Sequence, residues 1–141
     1  MTIKNKKASF DYEFIQKFTA GIVLKGTEVK SLRRGKASIK ESFCFFNGNE
    51  LFIKSMHISE HDVGELHGAE RDRKLLLTKK ELKSLKEKIA TKGLTIVPIS
   101  VYFNDKNFVK VEIALARGKR EYDKKNAIRE RDIDRDTKNS I

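Results

Sequence analysis

Ser42-Phe43-Cys44-Phe45-Phe46-Asn47-Gly48-Asn49-Glu50-Leu51-Phe52-Ile53-Lys54-Ser55-Met56-His57-Ile58 is the stretch that decides the fold. Asn47-Gly48-Asn49-Glu50 separates two runs of strand-forming residues, a strong hairpin signal because Asn and Gly accept the positive φ a tight turn demands. The spacing predicts strands over Ser42–Phe46 and Leu51–Ile58. The first carries apolar groups on both faces, Phe43 and Phe45 on one and Cys44 and Phe46 on the other. Such a strand needs cover on both sides. The interior of a barrel supplies one cover, and a helix packed outside supplies the second.

Further along lies a second hairpin, Thr95–Phe103 and Phe108–Ala116, turning through Asn104-Asp105-Lys106-Asn107; Val111, Ile113 and Leu115 alternate with polar or small residues. Phe10–Leu24 reads as one strand, or two with a bend, and Ala20-Gly21 allows close backbone approach. A two-turn helix is predicted over Glu28–Arg34, with Thr27 as N-cap, Glu28 at its positive start and Gly35 as its stop. The clearest helix follows Thr78: Thr78 and Glu81 form a capping box, Leu82, Leu85 and Ile89 share a face, and Gly93 ends it. Ser59–Arg73 has no periodicity and reads as a long loop. Five or six antiparallel strands in so small a domain need their edges covered, and closure is the economical answer. The expected fold is mainly β with helices: a partly closed antiparallel β-barrel resembling an OB-fold, with two or three helices. Residues 1–7 form a basic N-terminal arm, residues 8–116 the barrel, and residues 117–141 a basic C-terminal tail, disordered when free.

The tail expectation rests on composition. Residues 117–141 hold nine Lys/Arg and six Asp/Glu, with only Tyr122, Ala127, Ile128, Ile133 and Ile141 apolar, so they have no face to bury. Residues 1–116 carry 22 basic and 14 acidic groups, a net of +8, and the whole chain is at +11. That charge favours a polyanion, nucleic acid first and an acidic membrane surface second. No apolar run is long enough to span a membrane, and Cys44 is alone, so a reducing cytoplasm is expected and Cys44 reads as a buried, inert thiol.

Lys30, Arg33 and Arg34 fall at i, i+3 and i+4 of the short helix. With Lys25, Lys36 and Lys40 they make six basic groups against Glu28 alone over residues 25–40. Like charges at helical spacing repel, and phosphate neutralisation with counterion release offsets that cost. Arg71, Arg73 and Lys74 form a second cluster, expected at a loop-to-helix junction where donors converge on phosphate. The lysines of the long helix read as a solvated face. Most Phe and Tyr side chains are assigned to the core; Tyr122, alone in a polar run, is a candidate base stacker. His57, His61 and His67 would be the ligands of a metal hydrolase, the rival from another class, but strand and loop context gives them no common face, so no metal, cofactor or catalytic residue is expected. A generic RNA-binding or ribosomal protein is the other alternative.

Asn5-Lys6-Lys7-Ala8, Gly26-Thr27-Glu28-Val29-Lys30-Ser31-Leu32-Arg33, Arg73-Lys74-Leu75-Leu76-Leu77 and Gly118-Lys119-Arg120 run nearly end to end. In them the chain resembles the SsrA-binding protein (small protein B, SmpB) family. The resemblance implies an OB-like barrel, the tRNA-like domain of transfer-messenger RNA (tmRNA) as ligand, and rescue of stalled ribosomes by trans-translation, with no enzymatic activity and no DNA or membrane partner. It implies that Asn5 and Leu76 serve RNA association, with the short helix and its neighbouring loops near the RNA elbow. With the cations read from charge, the expected RNA-binding set adds Lys6, Lys7, Lys25, Lys30, Arg33, Arg34, Lys36, Arg73, Lys74, Lys119 and Arg120. Gly118, Tyr122, Asp123, Lys124 and Lys125 are implied to work in the ribosome, including against small-subunit RNA. The family often has Glu where this chain has Thr19, His or an aromatic at Tyr122, and Arg at Lys125.

Overall fold

The computed structural model describes residues 2–60 and 68–119. Nine strands and three helices follow in chain order among them: β1 (Thr2–Lys4), α1 (Lys6–Asp11), β2 (Tyr12–Ile22), α2 (Gly26–Arg33), β3 (Ala37–Ser38), β4 (Phe43–Asn47), β5 (Glu50–Lys54), β6 (His57–Ile58), β7 (Arg73–Leu76), α3 (Lys79–Lys92), β8 (Thr95–Phe103) and β9 (Val109–Gly118).

Six strands close a ring in the order β8-β4-β5-β7-β2-β9, with β9 returning to β8, and every pairing is antiparallel. The β4–β8 seam is held by the single pair Cys44↔Ile96, which makes the closure partial. Period-two alternation sends Leu51, Ile53, Leu75, Ile96, Val101, Val111, Ile113 and Leu115 inward, all essentially without solvent contact. Leu32 of α2 and Leu85 of α3 complete the core. α2 follows the C-terminal end of β2 and places Arg33 over the Phe103 ring at the end of β8. α3 lies at the other end, where Lys88 reaches Gln16 and Lys86 reaches the β4–β5 turn.

Both expected hairpins form. Asn47 pairs with Glu50 around Gly48 at φ 65°, and Phe103 pairs with Val109 around Asn107 at φ 64°. The capping box closes α3, with Thr78 N–H donating to Glu81 Oε1 (3.0 Å) and Glu81 N–H to Thr78 Oγ1 (3.2 Å); Gly93 at φ 62° ends it. Cys44 is buried, and burial pushes its thiol pKa up, so it is unreactive in the fold.

Several expectations need correction. The N-terminal arm is a strand and a helix instead: Thr2–Lys4 pairs with the free edge of β8, and Ile3 packs on the core. Three residues with one apolar group carry no readable period, so this strand is legible only from its partner. Phe10 and Asp11 belong to α1, which lays Ala8 on Val97, Ala114 and Ala116, on the outside of the sheet. α2 starts at Gly26 with Lys25, not Thr27, as N-cap, because the Glu28 carboxylate turns back to accept Lys25 N–H (2.8 Å). Leu51–Ile58 breaks at Ser55, whose φ of 62° separates β5 from β6. Among the described residues, Phe43 is exposed and Phe45 half-buried, and neither joins the core clusters, so the expected helical cover over them is not found there. The Phe43 ring sits tilted against Phe45 (centroids 6.4 Å), and Phe45 stacks on Phe52 (5.8 Å). Gly118 is still in β9, paired with Tyr12, so the barrel extends past Ala116.

Candidate nucleic-acid interface

α2 has two faces. Glu28, Ser31 and Leu32 point inward and are fully buried, while Lys30, Arg33 and Arg34 point outward and are exposed. Lys25, Lys36 and Lys40, at and after its ends, are exposed as well. The sequence counts one acid among these six cations, but the structure takes that acid out of solvent. The surface over residues 25–40 is therefore more cationic than its composition implies.

Glu28 is the centre of a buried ion cluster. Arg71 donates to it twice, from Nη2 to Oε1 (2.5 Å) and from Nε to Oε2 (3.1 Å), and Arg73 donates from Nε to Oε2 (2.6 Å). The remaining Arg73 donors go to backbone carbonyls: Nη1 to Met56 O (2.6 Å), and Nη2 to Gly68 O (3.1 Å) and Ala69 O (3.2 Å). Burial alone would raise the Glu28 pKa, but Arg71, Lys25 N–H and Arg73 outweigh it and hold the carboxyl below its ordinary range. Burial likewise pulls the Arg73 guanidinium down while Glu28 pulls it back up; it stays charged, since a guanidinium does not deprotonate in proteins. Arg73 was expected on RNA. With 0 % exposure and its donors engaged inside the protein, it belongs to the fold. Arg73 and Lys74 lie on strand β7 and Arg71 just before it, not at a helix junction. Lys74 is half-buried and ion-paired with Glu50.

Beside α2 the outer face of the sheet is open. Tyr102↔Lys110, Lys110↔Gly21 and Gly21↔Leu76 are cross-strand pairs, so these four residues form one row across β8, β9, β2 and β7. Two residues on, Phe108 and Val23 continue the same face, and Val23 N–H donates to Lys74 O (2.9 Å). Leu76 (48 % exposed), Val23 (46 %) and Phe108 (62 %) are thus exposed apolar groups on the face that carries Gly21, where the Leu76 side chain packs close over the glycine; a Cβ there would lie 3.3 Å from that of Leu76. The turn holds Phe108 in place: Asn104 Oδ1 accepts from Lys106 N–H (3.0 Å) and Phe108 N–H (2.9 Å). Thr19 lies on this face too, opposite Glu112, which leaves a carboxylate one strand over. Leu76 was expected at the interface. Val23, Phe108 and Lys110 share this face without having been singled out in the sequence, although two-residue spacing from Gly21 points to Val23.

The other expected residues divide. Lys6 and Lys7 are exposed on α1. Asn5 is buried: its backbone N–H donates to Ile99 O (2.8 Å) and its Nδ2 to Pro98 O (3.1 Å), and Oδ1 has no hydrogen-bond partner among the described residues. Asn5 also borders a cavity of about 260 Å³ together with Lys7, Lys40 and Phe43. Lys119 turns back onto α1, donating from N–H to Asp11 O (2.9 Å) and from Nζ to Ser9 O (3.0 Å). Gly118 ends β9. Arg120, Tyr122, Asp123, Lys124 and Lys125 lie outside the described residues, as do His61 and His67; His57 faces Glu70 at 3.6 Å. No helix among the described residues is long and apolar enough to cross a membrane.

A small, basic, OB-like barrel whose open sheet face adjoins a cationic helix defines a nucleic-acid-binding class. The chain belongs to the SmpB family, whose model, described as SmpB protein, matches residues 2–141. It is 52 % identical over 134 residues to the SsrA-binding protein of Phocaeicola vulgatus, covering 94 % of this chain and 89 % of that one. It is 54 % identical over 132 residues to the SsrA-binding protein of Parabacteroides distasonis, covering 92 % and 86 %. A solved chain described under "tmRNA-SmpB: a journey to the center of the bacterial ribosome" superposes with a TM-score of 0.70 at 44 % identity, covering 91 % of this chain and 94 % of that one.

Proposed function

We propose that this chain is the tmRNA-binding adaptor of trans-translation, and that it grips RNA with the α2 face and the adjoining outer sheet around Gly21. Family membership and the named relatives support the adaptor role, with tmRNA and the ribosome as partners. The observation that carries the assignment of surface is the burial of Glu28, which leaves six exposed cations over residues 25–40 beside exposed Leu76, Val23 and Phe108. Double-helical RNA hides its base edges in a deep, narrow groove, so cations suit its phosphates while an apolar shelf suits an unstacked base or a ribose face. Lys30, Arg33, Arg34, Lys25 and Lys36 take phosphates, and Leu76, Val23 and Phe108 take the apolar contact. Lys6 and Lys7 extend the charge along α1. The reading requires no cofactor and no chemical step, and it places the protein in the cytoplasm with the ribosome.

Residues after Lys119 are assigned to the ribosome, where Tyr122 and the Asp123-Lys124-Lys125 run would meet small-subunit RNA. The test is a pair of variants. Replacing Tyr122, Lys124 and Lys125 with Ala should leave tmRNA affinity near the parent's and abolish peptide tagging on stalled ribosomes, while Arg33→Ala should lose RNA affinity first. A tail variant that loses both activities in parallel would end the division of labour. A parent that binds an equal-length RNA duplex as tightly as tmRNA would end the adaptor reading.

A further inference from the structure

We propose that Glu28 is a positioning residue for RNA: buried and touching no ligand, it sets the rotation of α2 so that Lys30, Arg33 and Arg34 stand in line with the β7–β2–β9 face. The inference rests on the RNA reading of that face. α2 is held to the barrel by one large apolar anchor, Leu32, and an apolar contact does not fix rotation about a helix axis. Direction comes from polar bonds on either side of it. Ser31 Oγ donates to Ser59 O (2.6 Å), and Glu28 accepts from Arg71 and Arg73.

The Glu28 bonds run to the element that carries the rest of the interface. Arg73 is the first residue of β7, and Lys74 and Leu76 follow on the same strand. Through its other donors Arg73 also reaches Met56 O, Gly68 O and Ala69 O, so one buried guanidinium ties α2, β7 and the ends of the intervening loop to one carboxylate. Glu28, Ser31 and Leu32 occupy the side of the helix opposite Lys30, Arg33 and Arg34, so a rotation that loosens the first set displaces the second by the same angle.

The full chain carrying Glu28→Gln distinguishes positioning from bulk electrostatics and from simple stability. The substitution removes a negative charge and no surface cation, so unpositioned electrostatics would leave binding unchanged or tighter. Affinity for tmRNA is measured against salt at 10 °C, where circular dichroism verifies that the variant is folded. Positioning predicts an affinity at least tenfold weaker and a shallower log-affinity against log-salt slope, by about two phosphate contacts at roughly 0.7 to 0.9 each. If Glu28→Gln does not fold, Glu28→Leu combined with Arg73→Met replaces the buried pair with apolar groups and gives the same readout, since neither side chain restores a directional bond. An unchanged slope and affinity in the folded variant, beside a normal parent, overturns the positioning role. A parent whose tmRNA affinity does not depend on salt overturns the RNA reading of α2, and this inference with it.

Discussion

Phe108→Ala is the sharpest test of the outer sheet face. The ring is 62 % exposed, and its backbone is fixed by the Asn104 side chain rather than by its own packing. Complete burial of a Phe side chain stabilises by about 1.5–3 kcal/mol, and little more than a third of this one is covered, so the substitution should cost roughly 0.5–1 kcal/mol of stability. That is a fall of a few degrees in the unfolding midpoint. If the ring stacks on an RNA base, its loss should cost about 1–3 kcal/mol of binding, or roughly 5- to 140-fold in affinity. The ring carries no charge, so the salt slope should not change. Fluorescence anisotropy of labelled tmRNA tRNA-like domain across a salt series, beside thermal melts of each protein, measures both quantities. Affinity within a factor of two of the parent would remove Phe108 from the interface. Weakened affinity with a flattened slope would mean that the hairpin had moved and taken cations with it.

Other consequences are more local. Arg33→Ala should weaken tmRNA binding and flatten the salt slope by one contact, about 0.7 to 0.9, and the lost stacking on Phe103 at 4.9 Å should cost about 0.5–1 kcal/mol of stability. Glu28 has a folded pKa below its unfolded value, so the stability it contributes is fully present above pH ~4.5 and is lost as pH falls through the folded pKa; urea midpoints from pH 6 to 3 should show this loss in the parent and a smaller one in Glu28→Gln. A chain ending at Lys119 should unfold cooperatively at nearly the full-length midpoint. Ending at Ala116 should lower the midpoint, because Tyr12↔Gly118 and Glu13↔Arg117 are then lost from β2–β9, as is the Lys119 contact with α1.

The sequence by itself determined the elements whose signals are local. Asn47-Gly48, Thr78 with Glu81, Gly35 and Gly93 set turns and helix ends through short-range backbone chemistry, and strict alternation along Val111–Leu115 set a core face. The cationic face of α2 was legible for the same reason, since i, i+3 and i+4 spacing is local; the barrel followed from the need to cover strand edges, and Leu76 was marked only by the family resemblance. Only the tertiary structure decided what a residue's partners would be. Arg73 and Lys74 are adjacent cations in sequence, yet strand alternation sends one into the barrel to meet Glu28, 45 residues away, and leaves the other half-exposed beside Glu50. Asn5 looks like part of a basic arm and is instead buried, because β8 offers a free edge for Thr2–Lys4 to pair with. Phe108 looks like core and stands in solvent, since the hairpin turn carries it past the last inward pair, Phe103 and Val109. Burial depends on which surfaces distant segments present to one another, and a composition or a period of two carries no record of that pairing.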